Sequence, residues 1–406
     1  MVKTLLQHGV DVNIATDDGW TPINVAASRG HAELVKLFLQ HGADVHVSNT
    51  TGLTPLSTAA SNNHVETVKL LLEWGANTET KDSYGATPLM RRARRGGARE
   101  VANMLLHYGA NVETRDSTGS TPLAAAFLEN KADMARLLLS RGADSTAKCS
   151  LRRTPIMYAS LNDDPEIIEL LLQKGADPTD ASEIGETALH FAACAGRVKS
   201  ATVLLQSSRV NVDALDRTNQ TPLFTAAARG YFSMVDTLLS HNANPNRTDS
   251  YGSTPLSAAV RNGHTDVVRR LIVLTESPIN HKDGFGRTLL RWASKSGEST
   301  IMKIIRDRAI ELGMETDDVD FSVELTTLPL TGGECIRECD VCAREILNSK
   351  PYYNCDVCVD FDICLECFEM GMQCLSASHK WTNHQPKEDV DERTFSIMPV
   401  TVFDYY

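Results

Sequence analysis

Nowhere does the chain hold the roughly 18 consecutive apolar residues that a membrane-spanning helix requires, which argues against a transmembrane segment. Its opening, "MVKTLLQHGVDVN", turns polar too soon for a secretory signal. Catalytic signatures are missing as well: there is no HExxH, no Walker phosphate loop and no GxSxG. An excess of positive charge is also lacking, because 40 Lys and Arg face 52 Asp and Glu, for a net charge of -12, and broad nucleic-acid binding is not expected. Cysteine is scarce through most of the chain, where Cys149 and Cys194 stand alone. What remains is a folded, non-secreted, non-enzymatic protein expected in the cytoplasm or nucleus, with an ordinary globular balance of 42% hydrophobic and 23% charged residues.

What the chain has in abundance is repetition. "GWTPINVAASRGHAELVKLFLQHGADV" returns as "GLTPLSTAASNNHVETVKLLLEWGANT" and again as "GATPLMRRARRGGAREVANMLLHYGAN", with decay to about residue 315. The anchoring threonines are Thr21, Thr54, Thr87, Thr121, Thr154, Thr187, Thr221, Thr254 and Thr288, spaced by 33 or 34 residues throughout. This period and the TPLxxAAxxG core resemble the ankyrin repeat. The resemblance implies a mainly α solenoid of helix-turn-helix and hairpin units, with a partial repeat at 1–16 and an array of nine repeats, the last degenerate, at 17–315.

Each unit makes physical sense residue by residue. The Thr hydroxyl can cap the first helix, and the Pro that follows sits where its missing N–H costs nothing. Small alanines let a second helix pack closely, and that helix carries an apolar stripe at three- and four-residue spacing, as in "MVDTLLSH" at 234–241. Gly9, Gly42, Gly75, Gly109, Gly142 and Gly175 fall just past the second helix, where a left-handed residue ends it most cheaply. The hairpin needs another such residue. Glycine supplies it at Gly19, Gly52, Gly85, Gly119, Gly185, Gly252 and Gly286, and Asn219 tolerates the conformation, but Arg152 does not do so readily, so the fifth repeat is expected to have the least regular hairpin. "MVKTLLQHG" reads as a second helix without its first, so the chain is expected to be part of a longer array or to leave an apolar face uncapped.

A stack of this kind is expected to bind another protein along an extended surface. One segment departs from type: "RRARRGGAR" places Arg91, Arg92, Arg94, Arg95 and Arg99 in the third repeat, with Arg92 where most copies have Ala. These arginines read either as a docking spot for an acidic or phosphorylated segment or as a solvated helix face that balances nearby acids. Trp292, on the first helix of the ninth copy, reads as a core or end-cap residue.

After residue 315 the period stops, and the acidic stretch 316–334 reads as a linker. Eight of the ten cysteines then fall between 335 and 374. CxxC pairs at Cys339/Cys342, Cys355/Cys358 and Cys364/Cys367, with Cys374 and His379 behind them, supply ligands for two tetrahedral zinc sites. Such pairs in a non-secreted chain point to metal rather than disulfides.

The order of these pairs, with the acidic-aromatic link "VDFDIC", resembles the ZZ-type zinc finger, here expected at 335–385 with a tail at 386–406. The resemblance implies that Cys339, Cys342, Cys364 and Cys367 hold one structural zinc. It assigns Cys355 and Cys358 to the other, together with Cys374 and His379, and His384 competes with Cys374 for the last position. It further implies that Asp340, Asp360 and Asp362 form an acidic pocket for a free peptide N-terminus, although "NSKPYYNC" departs from the family pattern nearby. Two functional classes follow: an adaptor that joins two protein partners, or the substrate-recognition part of a ubiquitin ligase whose catalytic domain lies elsewhere. No CxH triplet of a RING exists in the chain.

Overall fold

The computed structural model describes residues 2–313, apart from 98, 276–278, 280, 285–286 and 297, and five short strands between 335 and 384. The chain divides into two units, Met1–Phe321 and Ser322–Tyr406. The first opens with α1 (Val2–Gln7), the second helix expected there, which fully buries none of its residues. Nine helix pairs follow: α2 (Pro22–Ser28) with α3 (Ala32–Gln40), α4 (Pro55–Ser61) with α5 (Val65–Glu73), α6 (Pro88–Arg95) with α7 (Arg99–His107), and α8 (Pro122–Leu128) with α9 (Ala132–Ser140). Next come α10 (Pro155–Ser160) with α11 (Pro165–Gln173), α12 (Ala188–Cys194) with α13 (Val198–Leu205), and α14 (Pro222–Ala228) with α15 (Phe232–Ser240). The last two pairs are α16 (Pro255–Arg261) with α17 (Thr265–Ile272) and α18 (Leu289–Ser296) with α19 (Ser299–Glu311).

The even-numbered helices stack on one another as an inner row, and the odd-numbered ones lie against them as an outer row. Local chemistry sets each start. The hydroxyl of Thr54 accepts the Ser57 amide at 3.1 Å, and Thr221 does the same for Phe224 at 3.1 Å. Alanines such as Ala59, Ala60, Ala192, Ala226 and Ala227 are fully buried where the two rows meet. Leu56, Leu89, Leu123, Leu189 and Leu223 fill the inner row, and each buried Leu contributes about 1.5–3 kcal/mol.

A row of backbone bonds joins the hairpins. Thr50 donates its amide to the Asp18 carbonyl at 3.0 Å, Ser83 to Thr51 at 2.9 Å, Ser117 to Tyr84 at 2.9 Å and Ser150 to Thr118 at 3.0 Å. The ladder continues from Glu183 to Leu151, Arg217 to Ile184, Ser250 to Thr218 and Gly284 to Tyr251, at 2.7–2.9 Å. This row explains why the fifth hairpin departs from expectation. Arg152 takes φ +57°, close to the +59° of Asn219, and Cys149 still exchanges the usual backbone bonds with Arg152 and Arg153. Ladder bonds on both sides hold the loop regular, and the misfit becomes backbone strain at one residue.

At the far end α19, with 13 residues, is longer than any other outer helix of the array. Trp292 is 2% exposed, as expected of a core residue. In the second unit, β1 (Cys335–Glu338) pairs antiparallel with β2 (Glu345–Leu347). A three-stranded sheet has β3 (Tyr352–Cys355) at its centre, between β4 (Asp362–Cys364) and β5 (Trp381–His384), with both pairings antiparallel. The chain is thus mainly helical, and the expected linker lies outside the described residues.

Candidate interaction face

Inner helices and hairpin tips together make one long face whose chemistry changes from repeat to repeat. At most tips an Asx side chain knits the turn, and a hydroxyl does so at Thr16 and Ser182. Asp82 accepts the amides of Tyr84 and Ala86 on Oδ1, Asp116 those of Thr118 and Ser120, and Asn49 those of Thr51 and Leu53, all at 2.8–3.0 Å. The second oxygen of the aspartates is left for another partner, and for Asp82 and Asp283 the inner helix supplies it nine positions on.

In the third repeat that partner is Arg91, whose Nη1 donates to Asp82 Oδ2 at 2.7 Å. Arg94 reaches across to the next hairpin and donates to Asp116 Oδ2, also at 2.7 Å. Arg99 pairs with Asp133 at 3.0 Å on the exposed outer row. Arg92 is buried and desolvation pulls its pKa down. Arg95 is exposed and makes no hydrogen bond or ion pair among the described residues. The five arginines, read either as a docking spot or as a helix face that balances acids, therefore divide: Arg91, Arg94 and Arg99 balance acids, Arg92 is internal, and Arg95 faces solvent.

Space for Arg92 comes from the Gly96-Gly97 pair. Six other copies place one left-handed residue between their two helices (Gly30, Asn63, Asn130, Gly196, Gly230 and Gly263), whereas here both glycines have positive φ, at 66° and 89°. A Cβ on Gly97 would stand 3.0 Å from Arg92 Nη2. This extra residue is also why Thr87 and Thr121 are 34 apart.

Trp292 aligns in register with Arg91 and does the same task with different chemistry. Its indole Nε1–H donates to Asp283 Oδ2 at 3.2 Å, and the Arg287 Nε donates to the same oxygen at 2.9 Å. The Arg287 guanidinium lies 4.3 Å from the ring centroid and that of Arg261 lies 5.4 Å away. Asp249, one repeat earlier, is pushed up to about 6, first by burial and further by Asp283, against the pull of two backbone amides and Arg261. Mid-array, Tyr158 and Phe191 take this position, and the Tyr158 hydroxyl, 3.4 Å from Cys149 Sγ, is pushed up by burial. His190 accepts the Thr187 amide on Nδ1 at 3.2 Å and donates from Nε2 to the Gln220 carbonyl at 3.1 Å; burial lowers its pKa and keeps it neutral.

Cavities on this unit are small or open. A narrow space of about 20 Å³ between Trp292, Ile279 and Arg308 has room for about one water. An open hollow of about 620 Å³ lies over α2 and α3, against Trp20, Val25, Leu34 and Phe38.

Among the expected zinc and peptide residues, Cys339, Asp340, Cys342, Cys358, Asp360, Cys367, Cys374 and His379 lie outside the described residues. The backbone of the others is placed. Cys364 stands opposite Tyr352 and Asp362 opposite Asn354 in the β3–β4 register, while Cys355 stands opposite Trp381 and Tyr352 opposite His384 in the β3–β5 register.

Sequence reasoning allowed for nearby acids but did not identify Asp82 and Asp116 as the ones that hold Arg91 and Arg94. The signal was present: Asp82 and Asp116 occupy the same repeat position, and only a paired reading of hairpin and helix positions reveals that they sit behind Arg91 and Arg94.

A family model described as ankyrin repeats (3 copies) matches residues 1–82, 42–116, 89–182, 156–249 and 241–316. The chain belongs to the ankyrin-repeat family. A search of the curated proteins finds no match.

Proposed function

We propose that the chain is a non-enzymatic scaffold that holds one protein partner on the inner face of its ankyrin array and a second through a zinc-stabilised module at 335–385. The observation that carries the reading is the inner face itself. Nine inner helices and a backbone ladder present a long, preformed surface of the kind a stack of repeats offers to another protein. Joining two binding modules in one chain raises effective concentration and hence avidity.

The register of the short sheet supports a ZZ-type arrangement of two structural zinc ions. Cys364 is paired with Tyr352, three strand positions from Cys355, so the two cysteines stand about 10 Å apart along the strands and belong to different ions. Cys339 and Cys342 lie in the segment joining β1 to β2, and we assign them with Cys364 and Cys367 to one zinc. Cys355 and Cys358 go with Cys374 and His379 to the other. Closed four-ligand zinc supplies folding stability and no catalysis. Asp340, Asp360 and Asp362 would then offer carboxylates to a peptide's free amino group.

The test uses the zinc-loaded full chain. Peptides identical except for a free or acetylated N-terminus are titrated into it and into an Asp360→Ala variant. Preference for the free amine that disappears in the variant supports the second site, and equal binding of both peptides removes it. Selection of a displayed peptide library on the same chain tests the array: enriched peptides should protect amides of α4–α12 from hydrogen exchange. Enrichment of none that does so would overturn the scaffold reading.

A further inference from the structure

We infer that the third repeat is a docking site for an acidic peptide segment, with Arg91, Arg94 and Arg95 as its contact residues; this rests on the inner face being the partner-binding surface. The three arginines stand at positions i, i+3 and i+4 of α6 and so share one side of it. At the matching places the first repeat carries Val25, Ser28 and Arg29, the second Thr58, Ser61 and Asn62, and the fourth Ala125, Leu128 and Glu129. Among the described repeats, this is the one with a cation at all three.

The ion pairs behind the arginines do not cancel the site. The side chains of Asp82 and Asp116 are only 2% exposed, whereas those of Arg91 and Arg94 are 25% and 40% exposed. Each buried carboxylate spends Oδ1 on two hairpin amides and Oδ2 on one guanidinium nitrogen. The negative ends are therefore inside and the cationic edges outside. The same bonds fix the two guanidiniums before any ligand arrives, which lowers the entropy cost of binding. Arg95 adds an exposed charge with no internal partner among the described residues.

Spacing and surroundings select the ligand. Three or four residues along a helix advance about 5–6 Å, and alternate residues of an extended peptide are about 6.5–7 Å apart on one side. Carboxylates at every second position of an extended segment thus match the arginine row, and each can accept a forked pair of N–H bonds. Tyr84, 68% exposed at the adjoining hairpin tip, offers a ring for an apolar residue beside the acids. A long polyanion such as a nucleic acid fits poorly, because Glu129 and Asp133 stand exposed on the next repeat.

The experiment is fluorescence anisotropy with the full chain and a labelled twelve-residue peptide bearing Glu at alternate positions, beside its Gln counterpart. Two variants carry the same charge change at the same repeat position, Arg95→Glu and Arg29→Glu, and both sites are exposed, so thermal melts should match the parent chain. The Glu peptide should bind at least about tenfold more tightly than the Gln peptide, Arg95→Glu should lose about tenfold or more, and Arg29→Glu should stay within about twofold. Equal binding of the two peptides, an unaffected Arg95→Glu, or an equal loss in Arg29→Glu would overturn the site. Library peptides that bind the inner face without acidic residues would leave the scaffold reading standing while this inference falls.

Discussion

Arg152 shows at a single residue how a neighbour can override a local preference. Its φ of +57° lies in the left-handed region that costs an ordinary side chain roughly 1–2 kcal/mol, and the ladder bonds of Ser150 and Glu183 on either side hold it there. Arg152→Gly should therefore stabilise the chain by about 1 kcal/mol in urea melts, and a destabilised variant would show that the arginine side chain contributes more than its backbone loses. Asp249 makes a second residue-scale case. Its folded pKa of about 6 stands above the ordinary carboxylate value of 3.8, so its contribution to stability is full below pH 3.8 and is lost as pH rises through 6. Asn49 performs the same turn with an amide, accepting from Thr51 and Leu53. Asp249→Asn should gain about 1–3 kcal/mol over the parent at pH 7.5, with the gain vanishing near pH 4; a difference that is constant across that range would contradict the assignment. Neither effect was legible in the sequence, because Arg152 read as a disruption of the hairpin and Asp249 looks like every other hairpin aspartate until burial is known.

At the scale of elements, the helix pair α6–α7 differs from its neighbours by one residue, and that residue has a use. The additional glycine opens the connection so that Arg92 can lie where other copies hold Ala. Gly97→Ala places a Cβ at φ +89° and against the Arg92 guanidinium, and should cost about 1–3 kcal/mol. The double change Gly97→Ala with Arg92→Ala should recover the contact part of the loss, and a purely additive double variant would separate the two positions. The 34-residue spacing between Thr87 and Thr121 was readable from the start, and its connection to a buried arginine was not. Elsewhere the elements follow their sequence signals closely: threonines at the helix starts, prolines at the first helical position and glycines after the outer helices stand where the pattern put them, although the Thr21, Thr154 and Thr187 hydroxyls make no cap hydrogen bond.

On the scale of the whole molecule, charge is divided unevenly along the chain. Residues 1–313 hold 34 of the 40 Lys and Arg and 33 of the 52 Asp and Glu, a balance of +1, so the remainder carries -13 and sets the net charge of -12. The overall acidity that counts against anionic partners does not describe the array, whose inner face can be cationic at one repeat and neutral at the next. The proposed zinc module gives a whole-chain prediction of its own. The full chain should release two equivalents of zinc to a chelator, Cys374→Ser should release one tightly held equivalent, and His384→Ala should still release two; two from Cys374→Ser and one from His384→Ala would assign the last ligand to the histidine.

The sequence by itself determined the period, the helix starts and stops, and the ankyrin family, because these depend on residues close together in the chain and repeated in register. The CxxC spacing is local in the same way, which is why two zinc sites could be proposed from it. Which arginine faces an acid, which is buried and which meets solvent was decided by the tertiary structure alone. Arg94 and Asp116 are 22 residues apart and meet only because adjacent repeats stack. Burial, which sets the protonation of Asp249 and His190, exists only once that stack has formed.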